Sequence, residues 1–449
     1  MNPLLHDAAN RAARYLDEIQ TRAVAPGDAA VAALQRLEEP LPAAPTDERE
    51  TLRLLDEIVS PATMGMAGPR FFGFVIGGSL PVSLAANWLA GAWDQNAAMY
   101  RATPGVAHLE QVALRWLVDL LQLPREAAGA FVTGATVANL CALAAARHAV
   151  LERVGWNVEA KGLFGAPEIT VICGAEVHPS VTKSLGVLGL GRARLVKVPV
   201  DGQGRMRADA LPKISGPTIV IVQAGNVNTG AFDPIGEICA AARAAGAWVH
   251  VDGAFGLWAP ASPQLAPLAR GMGDADSWAT DAHKWLNVPY DSGLAFVRDP
   301  HALPAAMAIT AEYLPTQTEF RNPSDFTPEL SRRARGVEVW AALRSLGRAG
   351  VAALLERNCA QARRFATQLR AAGFEILNEV GLNQVLVAFG DAEKTRRVID
   401  GIQREGTCWA GITVWQGRTA MRISVSSWAT TDADVDASVA AMVRVARSV

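Results

Sequence analysis

Between Gly129 and Val297 the chain repeats one pattern: a short run of apolar residues, a turn, then a longer helix-like stretch. The runs fall at 170–173, 195–200, 219–224, 247–251 and 294–297, each too short for a helix and rich in Val, Ile and Leu. A strand that is apolar on both sides must be covered on both faces. That points to an α/β fold with a mainly parallel sheet flanked by helices, not to an antiparallel sheet with one wet face. Helical segments at 136–153 and 233–245 fit between the runs. The second carries a start signal: Asp233 reads as its N-cap, Pro234 sits in its first turn, and Glu237 follows. In such sheets ligands bind beyond the C-terminal ends of the strands, so residues just after each apolar run are where chemistry is expected.

The flanks differ from this centre. Residues 3–21 form an amphipathic helical pattern through Leu5, Ala9, Ala12, Leu16 and Ile19, followed by the proline-rich EEPLPAAPTDE and a second helical stretch at 48–58. An apolar arm of this kind packs either on a partner subunit, the favoured reading, or back on its own body. Residues 69–98 are rich in glycine and aromatics. There Phe71, Phe72, Phe74 and Trp93 read either as a substrate pocket or as core. After a polar loop at 315–331 come a long helical run at 337–370, strands at 374–377, 384–389 and 421–425, and helices at 393–404 and 432–445. The expected division is an N-terminal arm at 1–60, a large domain at 61–335, and a smaller C-terminal α+β domain at 336–449.

Composition narrows the function classes. A formal net charge of -2, with 50% apolar and 19% charged residues, shows no bias toward nucleic acid or an anionic membrane. The five cysteines are dispersed and form no CxxC pair, as expected of reduced thiols in a cytoplasmic protein. The first residues lack a basic segment followed by an apolar stretch, so no secretory signal is expected.

Four places carry chemistry. TGATVAN at 133–139 follows an apolar run and opens a helix, where small residues, Thr136 and backbone N–H groups can hold a phosphate. It is not a Walker sequence, which needs lysine directly before the hydroxyl residue. His178 follows the run TVICG and can stack on a planar cofactor. Asp252 ends the run AWVHVD, where a carboxylate needs a partner such as a protonated pyridine nitrogen; His250 lies on the same strand face. Lys284, in SWATDAHKWLN, supplies an amine for an aldehyde cofactor, with Asp276, Ser277 and His283 as supports. His178, Asp252 and His283 lack metal-motif spacing, and GMGDAD at 271–276 lacks the dinucleotide pattern, so neither a metal nor a dinucleotide site is assigned.

These residues carry a resemblance. TGATVANL at 133–140, EVHPS at 176–180, NTGAFDP at 228–234, HVDGAFG at 250–256 and ADSWATDAHKWLNVPYDSG at 275–293 resemble the group II pyridoxal-phosphate-dependent decarboxylases. That family includes aromatic-L-amino-acid, glutamate and diaminobutyrate decarboxylases. The resemblance implies fold-type I, with a large seven-stranded, mainly parallel sheet domain and a smaller C-terminal domain. It also implies pyridoxal 5'-phosphate as cofactor, and a homodimer with active sites near the subunit boundary. By position, Lys284 is the Schiff-base lysine, Asp252 pairs with the pyridine nitrogen, and His178 stacks on the ring, making these the catalytic candidates. Ala135, Thr136, Asp281 and His283 fall on the phosphate side or near the cofactor, and Asn226 near the ring's phenolic side. Arg422 resembles a C-terminal-domain arginine near substrate.

The chain departs from that pattern in two places. Val227 stands where the family commonly has threonine, and has no hydroxyl. The loop at 315–333 is short and lacks the tyrosine that the aromatic branch uses to return a proton to carbon, leaving Tyr313, Tyr100 and His178 as candidate acids. The leading expectation is an L-amino-acid decarboxylase that releases carbon dioxide and an amine, with aromatic or apolar substrates mildly favoured and glutamate-like and diamino substrates left open. The competing readings are oxidative aldehyde formation, carbon-carbon lysis, amino transfer, and a noncatalytic scaffold.

Overall fold

A computed structural model describes residues 2–309 and 320–449. The chain divides into two compact units. One comprises Met1–Gly78, Gln361–Leu377 and Val385–Val449; the other comprises Ser79–Ala360 and Asn378–Gln384. The N-terminal segment, expected as a separate arm, therefore groups with the C-terminal one. No helix among the described residues is long and apolar enough to cross a membrane.

The second unit is built on a seven-stranded sheet. Its strands are β1 (Ala128–Val132), β2 (Thr170–Gly174), β3 (Val196–Val198), β4 (Thr218–Gln223), β5 (Trp248–Asp252), β6 (Ser277–Asp281) and β7 (Gly293–Val297), in the order β1-β7-β6-β5-β4-β2-β3. The pairs β2–β3, β2–β4, β4–β5 and β5–β6 are parallel, and β7 runs antiparallel to β1 and β6. Every residue of β4 to β7 is buried, as a sheet covered on both faces requires. One face packs against the helix Ala135–Glu152, whose Ala138, Cys141, Ala144 and Ala145 meet Ile219, Ile221, Ala279 and Ala295 in one apolar cluster. Small side chains let this helix approach closely, and residues 141–146 are all buried.

One start signal misreads. Asp233 does not cap the helix, which runs over Ile235–Ala244 with Pro234 at the N-cap position and no side-chain cap. The chain doubles back after β4 through a bridge from Ala224 to Phe232, which turns Asp233 onto the strand it has just left. Its carboxylate accepts 2.7 Å bonds from the backbone N–H groups of Met206 and Gln223. Burial still pushes this carboxyl up to about 6, against the pull of those two donors.

In the helix Pro104–Leu120, Glu110 is buried. Its carboxylate lies 2.8 Å from the Arg332 guanidinium and 3.3 Å from that of Arg321. The same two arginines donate to the carbonyls of Phe131 and Gly129, tying the segment after residue 319 to β1. Tyr313 lies outside the described residues. Tyr100 stacks on Phe320 with ring centres 4.2 Å apart.

The first unit holds a four-stranded sheet of β8 (Glu375–Ile376), β9 (Gln384–Ala388), β10 (Gly411–Trp415) and β11 (Arg418–Ser424), ordered β10-β11-β9-β8. Strand β10, absent from the sequence reading, pairs with β11 across Gln416 and Gly417, both at positive φ, as a two-residue hairpin turn requires. Phe71 and Phe72 are core here: Phe71 stacks on Trp409 at 5.0 Å and Phe72 meets Phe365 edge-on at 5.0 Å. Phe74 is exposed in this unit, and Trp93 is exposed in the other. The long helix Gly336–Ala371 is broken at Gly347, whose φ of 59° no other residue adopts as cheaply.

Candidate active site

The C-terminal ends of β5 and β6 bring the sequence candidates together. In register, His250 pairs with Ser277 and Asp252 with Ala279, so Asp252 and Asp281 emerge on one face of neighbouring strands. Asp252 is buried, and its Oδ1 has no hydrogen-bond partner among the described residues. Burial raises its carboxyl above the usual range; Lys284, and His178 whenever its ring is protonated, oppose that shift and Asp281 adds to it.

Asp281 organises the lysine. Its Oδ2 lies 2.8 Å from Lys284 Nζ, and its Oδ1 accepts from the Ala135 N–H at 2.5 Å and lies 3.3 Å from His283 Nε2. Strand β6 therefore ends on a carboxylate that also touches the first N–H of the helix Ala135–Glu152. The approach is possible because β7 starts with Gly293: a Cβ there would sit 2.4 Å from the Gly134 Cα. His283 stacks on Tyr290 with ring centres 4.1 Å apart. Its Nδ1 accepts from the Ser292 N–H at 3.1 Å, which places the ring proton on Nε2, toward Asp281. Burial lowers the pKa of His283, Asp281 raises it, and Lys284 lowers it again.

His178 caps the helix Pro179–Val187, its Nδ1 accepting from the Ser180 N–H at 3.2 Å. Thr136 is exposed in the first turn of its helix. Asn226 is otherwise engaged. Its Oδ1 accepts from the N–H groups of Asn228 and Thr229, and its Nδ2 donates to Glu176 at 3.2 Å. Its carboxamide thus shapes the turn after β4. Gln223, missed in the sequence, pairs in register with Asp252 and donates to the Glu176 carbonyl at 3.2 Å. Only strand register reveals it. Arg422 lies in the other unit, half-buried on β11, where burial lowers its pKa.

An open α/β sheet that sets an amine, a buried carboxylate with one oxygen unpaired among the described residues and a helix N-terminus at its C-terminal edge has the groups that a phosphorylated aldehyde with a basic ring requires. The comparisons agree. The family model described as pyridoxal-dependent decarboxylase conserved domain matches residues 32–390, so the chain belongs to the pyridoxal-dependent decarboxylase family. Pyridoxal 5'-phosphate is its cofactor.

An aromatic-L-amino-acid decarboxylase of Bacillus atrophaeus is 30% identical over 324 residues, covering 70% of this chain and 65% of that protein. The acidic amino acid decarboxylase GADL1 of Mus musculus is 30% identical over 325 residues, covering 69% of this chain and 58% of that protein. The match thus spans less than two thirds of either relative's length. A solved Oryza sativa TDC with PLP and tryptamine superposes with a TM-score of 0.91 at 23% identity, covering 99% of this chain and 97% of that one, which shows a shared fold.

The residues present fit the cofactor. The lone Oδ1 of Asp252 lacks a donor among the described residues, and a protonated pyridine nitrogen is one.

Proposed function

We propose that the protein is an L-amino-acid decarboxylase that releases carbon dioxide and an amine. When bound, pyridoxal phosphate would supply an aldehyde for an amine and a cationic ring to take up the electron pair left behind as the substrate carboxylate leaves as carbon dioxide. Lys284 holds the cofactor covalently, and Asp281 keeps its amine in place at 2.8 Å. Asp252 keeps the ring nitrogen protonated, which deepens the electron sink where the transition state needs it. His178 covers the ring face and helps to orient the substrate, while Ala135, Thr136 and His283 line the phosphate side.

The observation that carries this reading is the buried Asp252, with an oxygen that lacks a donor among the described residues, lying in the electrostatic reach of Lys284 and His178. A scaffold with no cofactor has no use for such a group. Aromatic or apolar amino acids are the favoured substrates, in keeping with the named aromatic relative. We further propose a cytoplasmic homodimer. The helix Pro81–Trp93 presents Trp88, Leu89 and Trp93 to solvent, and the helix Pro3–Glu18 buries none of its residues, as expected of surfaces that a second copy covers.

A panel of L-amino acids with the loaded enzyme tests the reaction. Equal yields of amine and carbon dioxide support it. Aldehyde with oxygen consumption, or an oxoacid made from glutamate, would replace it with the oxidative or the transfer reaction. Sedimentation of the loaded protein at twice the mass of one chain tests the dimer.

A further inference from the structure

Behind His178 a continuous line of buried hydrogen bonds runs through the sheet. Trp248 Nε1 lies 2.9 Å from Ser277 Oγ, which lies 2.9 Å from His250 Nδ1. His250 Nε2 is 2.8 Å from Asn139 Oδ1, and Asn139 Nδ2 is 3.3 Å from Ser180 Oγ. Ser180 Oγ in turn is 2.7 Å from His178 Nδ1. Trp248, Ser277, His250, Asn139 and Ser180 are all buried. They come from β5, β6 and two helices, and the register that pairs His250 with Ser277 places the middle of the line.

The line has a direction. The Asn139 carboxamide oxygen can only accept, so a neutral His250 has its proton on Nε2 and its Nδ1 takes the hydrogen of the Ser277 hydroxyl, which itself accepts from the Trp248 indole N–H. His250 thus donates to Asn139 Oδ1, which leaves the Asn139 amide nitrogen to donate to Ser180. The Ser180 hydrogen points on to His178 Nδ1. The far end imposes the same order independently. The Ser180 backbone N–H, also a pure donor, reaches His178 Nδ1 at 3.2 Å. Burial pushes His250 down to about 3, with the Ser277 backbone opposing more weakly, so the middle of the line stays neutral at ordinary pH.

We propose that Asn139 and Ser180 are positioning residues that hold His178 as the neutral imidazole with its proton on Nε2, and that His250, Ser277 and Trp248 fix the direction of that hold. Protonating Nδ1 would set an N–H against two donors. The neutral ring matters because His178 acts electrostatically on Asp252. An imidazolium would compete with the cofactor's ring nitrogen for the charge of Asp252, whereas a neutral ring leaves that charge to the cofactor. This consequence rests on the proposed place of His178 over the ring; the tautomer itself does not.

The test is 15N NMR of histidine-labelled protein, with and without cofactor, the His178 signals being assigned by their loss in His178→Gln. A pyridine-like Nδ1 and a pyrrole-like Nε2 are expected. Ser180→Ala removes one of the two donors, so the tautomer preference should fall about fivefold and the imidazolium pKa should rise, the worth of one ordinary hydrogen bond. Asn139→Asp, which keeps the shape but replaces the donor by an acceptor, should act in the same direction, and Ser180→Thr should restore the native signals. Should Asn139→Asp not fold, Ser180→Ala decides alone. A proton on Nδ1 in the native protein, or unchanged His178 signals in Ser180→Ala, overturns the proposal. A different product from the amino-acid panel would overturn the decarboxylase reading and leave these signals untouched.

Discussion

Replacing Asp252 by Asn separates function from stability with opposite signs. The carboxylate is buried and its Oδ1 lacks a donor among the described residues, so the protein without cofactor bears the desolvation of an incompletely paired charge. Such a group costs about 1–3 kcal/mol. Its folded pKa is raised, so the folded state holds this proton more tightly than the unfolded chain does. Stability from this group is therefore present below the unfolded carboxyl pKa and is lost as pH rises through the folded one. Asp252→Asn should then stabilise the cofactor-free protein by about 1–3 kcal/mol at pH 7.5, and the gain should vanish toward about pH 4. Turnover should move the other way. Removing one partner of a buried charge pair costs about 3–5 kcal/mol, or roughly 10²–10⁴-fold in kcat if that pair forms with the ring nitrogen in the transition state. Thermal melting of the cofactor-free forms and carbon dioxide release by the loaded forms read the two arms. Near-normal turnover in Asp252→Asn would refute the reasoning, as would a cofactor-free variant less stable than the native protein.

Three further substitutions probe the supports. Lys284→Ala should abolish ordinary turnover while leaving phosphate-mediated cofactor binding, read by absorbance and equilibrium dialysis. Asp233→Asn loses one of two carboxylate acceptors for the Met206 and Gln223 N–H groups and should destabilise the protein by about 2–4 kcal/mol. Because Asp233 is raised to about 6, the native advantage over Asp233→Asn should shrink by up to about 3 kcal/mol as pH rises from 4 to 7.5, measured by urea unfolding. Gly293→Ala puts a Cβ 2.4 Å from the Gly134 Cα, so the turn must shift; a loss of about 1–3 kcal/mol in stability and weaker cofactor binding are expected by melting and titration.

How much of this was legible depended on whether the signal was local. Asp252 ends a continuous apolar run, and such a run declares both a buried strand and the residue at its mouth. Strand β6 was harder to read, because Ser277, Thr280 and Asp281 break its apolar character; it is buried all the same, its polar groups satisfied by partners far along the chain. The link from Asn139 to His250 joins residues 111 apart and leaves no mark in either local segment. Gln223 and Asp233 failed for the same reason: one is placed by register against Asp252, the other by a chain reversal after β4. Asp233 followed by Pro234 has the look of a helix start, and the sheet's demand for acceptors overrode it. The hairpin of β10 and β11 did leave a readable sign, the Gln416-Gly417 turn between short strands.

Borohydride reduction of the protein after incubation with pyridoxal 5'-phosphate, followed by peptide mass mapping, asks most directly whether one cofactor sits between Lys284 and Asp252. The expected result is a single reduced pyridoxyl group on Lys284, formed with one cofactor per chain. Labelling spread over surface lysines, or a modified site elsewhere with Lys284 untouched, would contradict the assignment of the site.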